Sequence, residues 1–227
     1  SIIGKANKYL LPFAKKIFVS YKELEGIPKI HKKKIFEIGN LVREEIINLD
    51  IFSEGTEDYE KIKVLVLGGS QAAKIFAEQL PPIFKKCYED KIYLKIYQQC
   101  LPDQNKFLTS FYKNLKIDFE IFNFSNNILD YFSKINLAIT RSGSSMLAEL
   151  INAKIPFIAV PLPSSVDNHQ LKNAIYYEKN GYSYLIEEKD LHIKLFQLIK
   201  EISEDTSLLS QIIKKQRQYS DKSVYEN

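Results

Sequence analysis

The sequence predicts an open, parallel α/β sheet covered by helices on both faces, and three observations carry that prediction. From residue 62 onward, short apolar runs alternate with segments of helical periodicity, the pattern of repeated β-α units. The run K-V-L-V-L-G-G at 63–69 is too continuously apolar for a half-exposed strand and suits the centre of a parallel sheet. Three loops rich in glycine, serine or proline each follow an apolar run and open a helix: G-G-S at 68–70, R-S-G-S-S at 141–145 and P-L-P-S-S-V-D-N-H-Q at 161–170. In such sheets ligands bind at the carboxyl ends of the strands, where the strand order reverses.

In chain order, Ile2, Ala6, Tyr9, Leu10, Phe13 and Ile17 recur at helical spacing with Lys5, Lys8, Lys15 and Lys16 between them. Pro12 should kink or divide that helix. Such a helix can lie on a membrane surface, but amphipathicity is common, and packing on its own domain is the favoured reading. K-I-F-V-S at 16–20 and K-I-F-E-I-G-N at 34–40 read as short buried strands, joined by a loop with Gly26, Pro28 and the basic run His31 to Lys34. From 44 to 61 the sequence turns acidic and irregular, which suits an interdomain linker. The expected division is therefore 1–43, a linker at 44–61, and a domain at 62–227.

Within that domain Ser70 and Gln71 open the helix A-A-K-I-F-A-E-Q-L. I-Y-L-K-I-Y at 92–97 is a strand, 104–115 a helix, and I-D-F-E-I-F at 117–122 another strand. A loop at 123–127, a short helix to 133 and a strand at 136–140 follow. I-P-F-I-A-V at 155–160 is the next strand, and helices at about 168–180, 190–202 and 206–219 finish the chain, with a short strand at 182–186.

Composition narrows the function. A chain of 227 residues, 45% hydrophobic and 26% charged, can bury a real core. No apolar run approaches the roughly 20 residues of a spanning helix. Residues 1–50 hold ten Lys/Arg against six Asp/Glu, a surplus too small to imply nucleic acid but able to face an anionic membrane or phosphorylated lipid. Cys87 and Cys100 have neither zinc-site nor disulfide-framework spacing.

The loops can do chemistry. Two helix N-termini side by side gather unpaired N–H groups and a positive dipole end, which suits phosphate. Glu149 lies in the first of these helices, and a carboxylate can accept from two vicinal hydroxyls of a sugar. Asp167, Asn168, His169 and Gln170 crowd the second, where the amides could bind sugar hydroxyls. A serine-capped helix and a solvated glutamate are the ordinary alternatives for these residues. No D-x-D is present to hold a metal on a nucleotide sugar, and neither G-x-S-x-G nor G-K-[ST] occurs. No metal and no cofactor are expected.

L-G-G-S-Q-A-A, then R-S-G-x-x-x-x-x-E, then P-x-P-x-x-x-x-D-N-H-Q-x-x-N-A resembles the MurG family, in order and interval, across about residues 1–225. These are the UDP-N-acetylglucosamine (UDP-GlcNAc) transferases that make lipid II from lipid I in peptidoglycan synthesis. The resemblance implies a GT-B type glycosyltransferase, here one complete Rossmann-like C-terminal domain plus the end of the N-terminal, acceptor-binding domain. On it Ser70 contacts the UDP phosphates, Ser125 sits in the loop that reads uracil, and Ser144, Ser145, Met146, Leu147 and Ala148 cradle the nucleotide. Glu149 would hold the ribose, Gln170 the GlcNAc, and Arg43, in G-N-L-V-R, would be the interdomain arginine of the donor site. Leu41 replaces the usual proline of that motif, and Ala72 the usual glycine of S-Q-G-A, where a methyl could crowd the nucleotide.

The resemblance further implies that the family's glycine-rich loop and catalytic histidine precede Ser1, leaving this chain with the donor site and no general base. Its partners would be UDP-GlcNAc, lipid I and a missing N-terminal half. Its place would be the cytoplasmic side of the bacterial inner membrane, as a peripheral protein. Two further readings stand beside it: an epimerase of the same architecture, which would need acid/base groups near the sugar, and a non-catalytic nucleotide-sugar-binding subunit completed by a separate chain.

Overall fold

The computed structural model of the protein describes residues 5–20, 26–47, 49, 61–125, 128–219 and 221, with the side chains of 5, 6 and 70–73 excepted. A six-stranded, all-parallel sheet forms its centre, in the order β5-β4-β3-β6-β7-β8. These strands are β3 (Ile62–Leu67), β4 (Leu94–Gln99), β5 (Asp118–Phe122), β6 (Leu137–Arg141), β7 (Phe157–Val160) and β8 (Tyr184–Leu185). The order reverses between β3 and β6, so the crevice of the switch point opens above Leu67 and Arg141.

Side-chain alternation along each strand feeds two cores, one per face. Val64, Val66, Ile139, Ile158 and Val160 meet α3 (Gly69–Glu89), α4 (Asn105–Asn114) and α8 (Leu191–Glu204). Leu65, Leu67, Ala138, Phe157 and Ala159 meet α5 (Leu129–Phe132), α6 (Ser144–Asn152), α7 (His169–Lys179) and part of α9 (Ser207–Gln216). The run at 63–69 is central, as its composition predicts.

Two expectations shift. α3 continues through Pro81 and Pro82 for 21 residues, because Leu80, Ile83, Phe84 and Cys87 keep their apolar face on the sheet. β4 begins at Leu94, two residues later than read, and ends in Gln98 and Gln99. Gln98 is fully buried; its Oε1 accepts a hydrogen bond from Tyr112 Oη at 2.6 Å, which satisfies the oxygen half of the amide, while Nε2 is buried without a partner.

Before the sheet, α1 (Lys5–Leu10) stops just short of Pro12, and β1 (Ile17–Val19) pairs in parallel with β2 (Ile35–Glu37). Four residues of the expected linker are ordered against the sheet domain. Residues 44–47 form a helical turn, α2 (Glu44–Ile47), because Val42 and Ile46 are buried in the second core beside α6. The remaining residues of that stretch, 48 and 50–60, lie outside the described ones. No helix among the described residues is long and apolar enough to cross a membrane.

Candidate functional site

A cleft of about 530 Å³ opens at the carboxyl ends of the strands, over the switch point. It lies within the usual range for small-molecule sites. The β3–α3 turn supplies Gly68 and Gly69, β4 ends in Gln99, and the loop after β5 supplies Phe124 and Ser125. The β6–α6 loop brings Arg141, Gly143, Met146 and Glu149, and the loop after β7 brings Leu162 and Gln170. Arg43 closes the cleft from outside the sheet.

Gly69 turns at φ +62°, and a methyl group there would meet nothing within 4 Å, so backbone conformation rather than crowding demands glycine. Its N–H donates to Gln99 Oε1 at 3.3 Å, while Gln99 Nε2 donates to the Asn123 carbonyl at 3.3 Å. Gln99 therefore ties the β3 turn to the loop after β5. The side chains of Ser70 and Ala72 lie outside the described residues, as do Asn126 and Asn127 beside Ser125.

Helix α6 begins after Gly143 with no side-chain cap hydrogen bond, so the alternative of a serine-capped helix is not what the structure shows at this N-terminus. Helical periodicity then sorts the candidate residues. Gly143, Met146 and Glu149, three apart, line the cleft; Ser144 and Ser145 are exposed at the helix start; Leu147 and Ala148 are fully buried in the core. Leu147 and Ala148 can offer only backbone to a ligand.

Glu149 is engaged in a two-point pair with Arg43: Nε donates to Oε1 at 3.2 Å and Nη2 to Oε2 at 3.1 Å. The carboxylate retains lone pairs for further donors.

The D-N-H-Q-x-x-N-A segment works largely as a brace. Gln170 Oε1 accepts from the Ser142 and Leu162 N–H groups at 3.2 and 3.0 Å, and Asn173 Nδ2 donates to the Ser142 carbonyl at 3.1 Å. One turn of α7 thus grips both polar atoms of the Ser142 peptide, which explains the Q-x-x-N spacing. Two N–H donors also settle the amide's orientation: the atom they meet is the oxygen, so the group left for the cleft is Nε2. Asp167 and Asn168, in left-handed backbone conformation, are exposed, and His169 is exposed with Nδ1 bonded to the Val166 carbonyl at 2.8 Å. None of these three lines the cleft.

Arg141, Gln99 and Phe124 are lining residues that sequence reasoning missed. Arg141 is 7% exposed, stacks 4.8 Å from the Phe76 ring centroid, donates to the Val160 and Pro161 carbonyls, and pairs with Glu188. Phe124 is 78% exposed at the cleft rim. The charged residue at a strand's carboxyl end and the lone aromatic in a polar loop were the available signals. Among the described residues no three His, Cys, Asp or Glu are grouped to hold a metal ion.

The Glycosyltransferase family 28 C-terminal domain matches residues 63–226. The UDP-N-acetylglucosamine–N-acetylmuramyl-(pentapeptide) pyrophosphoryl-undecaprenol N-acetylglucosamine transferase of Rickettsia bellii is 34% identical over 218 residues, covering 91% of this chain and 61% of its own length. The protein of the same name from Pelagibacter ubique is 34% identical over 193 residues, covering 85% and 53%. The chain thus spans roughly three fifths of the length of the curated relatives it matches. Among solved structures, Acinetobacter baumannii MurG superposes with a TM-score of 0.78 at 21% identity, covering 99% of this chain and 63% of that one, a likeness of fold.

Proposed function

Because the chain belongs to the MurG family of glycosyltransferases, with a family 28 C-terminal domain across most of its length, we propose that it holds the donor site of an inverting N-acetylglucosaminyltransferase. The six-stranded sheet is the Rossmann-like C-terminal half of a GT-B type fold. The donor is UDP-GlcNAc, and the acceptor of the whole protein is the 4-hydroxyl of lipid I, giving lipid II. The observation that carries the reading is the convergence of a carboxylate, Glu149, an uncapped helix N-terminus at Gly143 and an oriented amide donor, Gln170 Nε2, on one cleft at the switch point.

Each group has a task in that reading. The α6 N-terminus and the Gly68–Gly69 turn face the diphosphate and stabilise the charge that grows on departing UDP. Glu149 accepts from the ribose hydroxyls, and Arg43 offsets its negative charge beside the diphosphate. Gln170 Nε2 donates to a hydroxyl oxygen of the sugar. The loop at 123–125 takes the base, with Phe124 stacking on the pyrimidine and Ser125 beside it. Ser70, Ser144 and Ser145 add polar groups at the two helix starts, and Met146 an apolar wall. We assign the base that deprotonates the acceptor to the part of the relatives' length outside the match to this chain.

We assign 62–227 to the donor domain, with residues 40–47 packed on it, and the residues before 40 to the end of the acceptor-binding domain. Tyr9, Phe13, Phe18 and Ile30 are 60–84% exposed there, which suits coverage by the rest of that domain. The same exposure favours a second reading, a donor-binding subunit completed by a separate chain. Lipid I would place the whole protein at the cytoplasmic face of the inner membrane, bound peripherally.

Calorimetric titration with UDP-GlcNAc, against UDP-glucose and ADP-glucose, tests the donor site. Selective binding of UDP-GlcNAc, lost in Glu149→Ala and Gln170→Ala, is the expected result. Equal binding of ADP-glucose would overturn the assignment.

A further inference from the structure

We infer that Asp221, in the C-terminal tail, is a positioning residue for the donor cleft: it latches the segment carrying Arg43 to helix α6 and so sets Arg43 against Glu149. The inference rests on the proposed donor site for its functional meaning, but its geometry stands apart from any ligand.

Asp221 is 2% exposed, and its carboxylate accepts from four donors. Oδ1 takes the Asn40 backbone N–H and Tyr219 Oη, both at 3.0 Å; Oδ2 takes Asn152 Nδ2 at 2.8 Å and Asn40 Nδ2 at 3.4 Å. Its own N–H donates to Asn152 Oδ1 at 3.2 Å, and Asn152 Nδ2 also reaches the Ala148 carbonyl. A buried carboxylate that is met on every side by neutral donors needs all of them, since each one lost leaves part of a charge unsolvated.

The spacing gives the latch its meaning. Asn40 precedes Arg43 by three residues, and Asn152 follows Glu149 by three on α6. The Asn40–Asp221–Asn152 bridge and the Arg43–Glu149 pair are therefore two rungs between the same two antiparallel segments, with Val42 and Ile46 buried between them. Gly39, at φ +84°, turns the chain into this position. Arg43 is 39% exposed, so its own surroundings hold it weakly, and the buried rung beside it supplies the restraint.

Side-chain NMR of the full chain tests this without a ligand, since only Arg43, Arg141 and Arg217 contribute Nε–H signals. In wild type the Arg43 Nε–H, held by Glu149, is expected to be shifted and slow to exchange, and Arg43→Lys assigns it. Asp221→Asn, which turns one acceptor into a donor facing donors, is expected to abolish that protection while Arg141 Nε–H stays unchanged. Tyr219→Phe, a milder cut at the same carboxylate, is expected to weaken it in the same direction. In parallel, Asp221→Asn should weaken UDP-GlcNAc binding roughly tenfold, about 1.4 kcal/mol, but by less than about twofold in an Arg43→Ala background. A protected Arg43 signal in both variants overturns the inference, as does an equal loss of affinity in both backgrounds. If wild type binds no uridine nucleotide, the donor-site reading fails, and the Arg43 signal still decides the latch.

Discussion

Arg43 and Glu149 meet through two parallel hydrogen bonds, at 3.2 and 3.1 Å, although 106 residues separate them. The pair is partly open, with side chains 39% and 17% exposed, so its net contribution to folding belongs with surface ion pairs, about 0–1 kcal/mol. A ligand hydroxyl pair on the same carboxylate would lose far more. Glu149→Ala is expected to lower UDP-GlcNAc affinity by about 1.5–3 kcal/mol, roughly 10- to 150-fold, while the urea midpoint moves little. Calorimetry and urea unfolding on the same sample separate the two effects. A large stability loss with unchanged affinity would mean that the pair is structural.

Gln170 separates bracing from recognition within one side chain. Gln170→Glu keeps an oxygen for the Ser142 and Leu162 N–H groups and replaces only Nε2. UDP should then bind within about twofold of wild type, while the extra affinity of UDP-GlcNAc over UDP falls roughly tenfold. Gln170→Ala removes the brace as well, leaves two N–H groups without their acceptor, and should destabilise the fold by about 1–3 kcal/mol. Competition titrations of the two ligands decide the first point and denaturant melts the second. An unchanged ratio in Gln170→Glu would remove Nε2 from sugar recognition.

Phe124 offers a ring to the cleft from a position that does nothing for the core. At 78% exposure its loss should leave stability unchanged, while an aromatic platform for a base contributes about 1–3 kcal/mol. Phe124→Ala is therefore expected to weaken uridine, UDP and UDP-GlcNAc by the same factor. A loss confined to UDP-GlcNAc would place the ring against the sugar instead.

Most of the fold was legible because burial follows the period of the elements. Val64 and Val66 face one core, Leu65 and Leu67 the other, so the continuous apolar run could only be a central strand. The carboxyl-end loops were legible for the same reason, and Arg43, Ser125, Met146, Glu149 and Gln170 do line one cleft. What the sequence hid depends on distant partners. Gln98 and Gln99 look like loop residues until Tyr112, Gly69 and Asn123 supply their bonds. The turn at Ile46, inside the acidic, irregular stretch, packs beside α6, and Asn40 meets Asp221 across 181 residues. Local composition cannot report such pairings.

Arg141 and Glu188 make a deeply placed ion pair, with side chains 8% and 17% exposed. Two carbonyls and the Phe76 ring also meet the guanidinium, so its position is set by β7 and α3 as well as by Glu188. Cutting one partner leaves a charge with reduced solvation. Glu188→Ala is expected to destabilise by about 3–5 kcal/mol, more than Glu149→Ala despite the same class of pair. Urea unfolding curves of the two variants give the comparison, and similar losses in both would contradict it.

The core also predicts how the fold fails in alkali. Cys87 is fully buried under α3, and burial, with Asp90 adding to it, raises its thiol from an ordinary value of 9.0 to about 12. Tyr131 is raised to about 12 by burial and by its bond to Glu120, and burial raises Tyr112 as well. Above pH 9 the unfolded chain releases the Cys87 proton that the folded chain keeps. Its contribution is therefore complete below about pH 9 and lost as pH rises toward 12, with the tyrosines joining above about pH 10. Between pH 9 and 10 the thiol alone accounts for roughly 1 kcal/mol of lost stability. Cys87→Ala creates a small cavity and lowers stability at pH 7, so the informative quantity is the slope. The urea-derived stability of wild type should fall across pH 9–10 by about 1 kcal/mol more than that of Cys87→Ala. Parallel slopes would mean that the thiol ionises as readily in the folded chain as in the unfolded one, which a side chain sealed between α3 and the sheet cannot do without opening that face of the core.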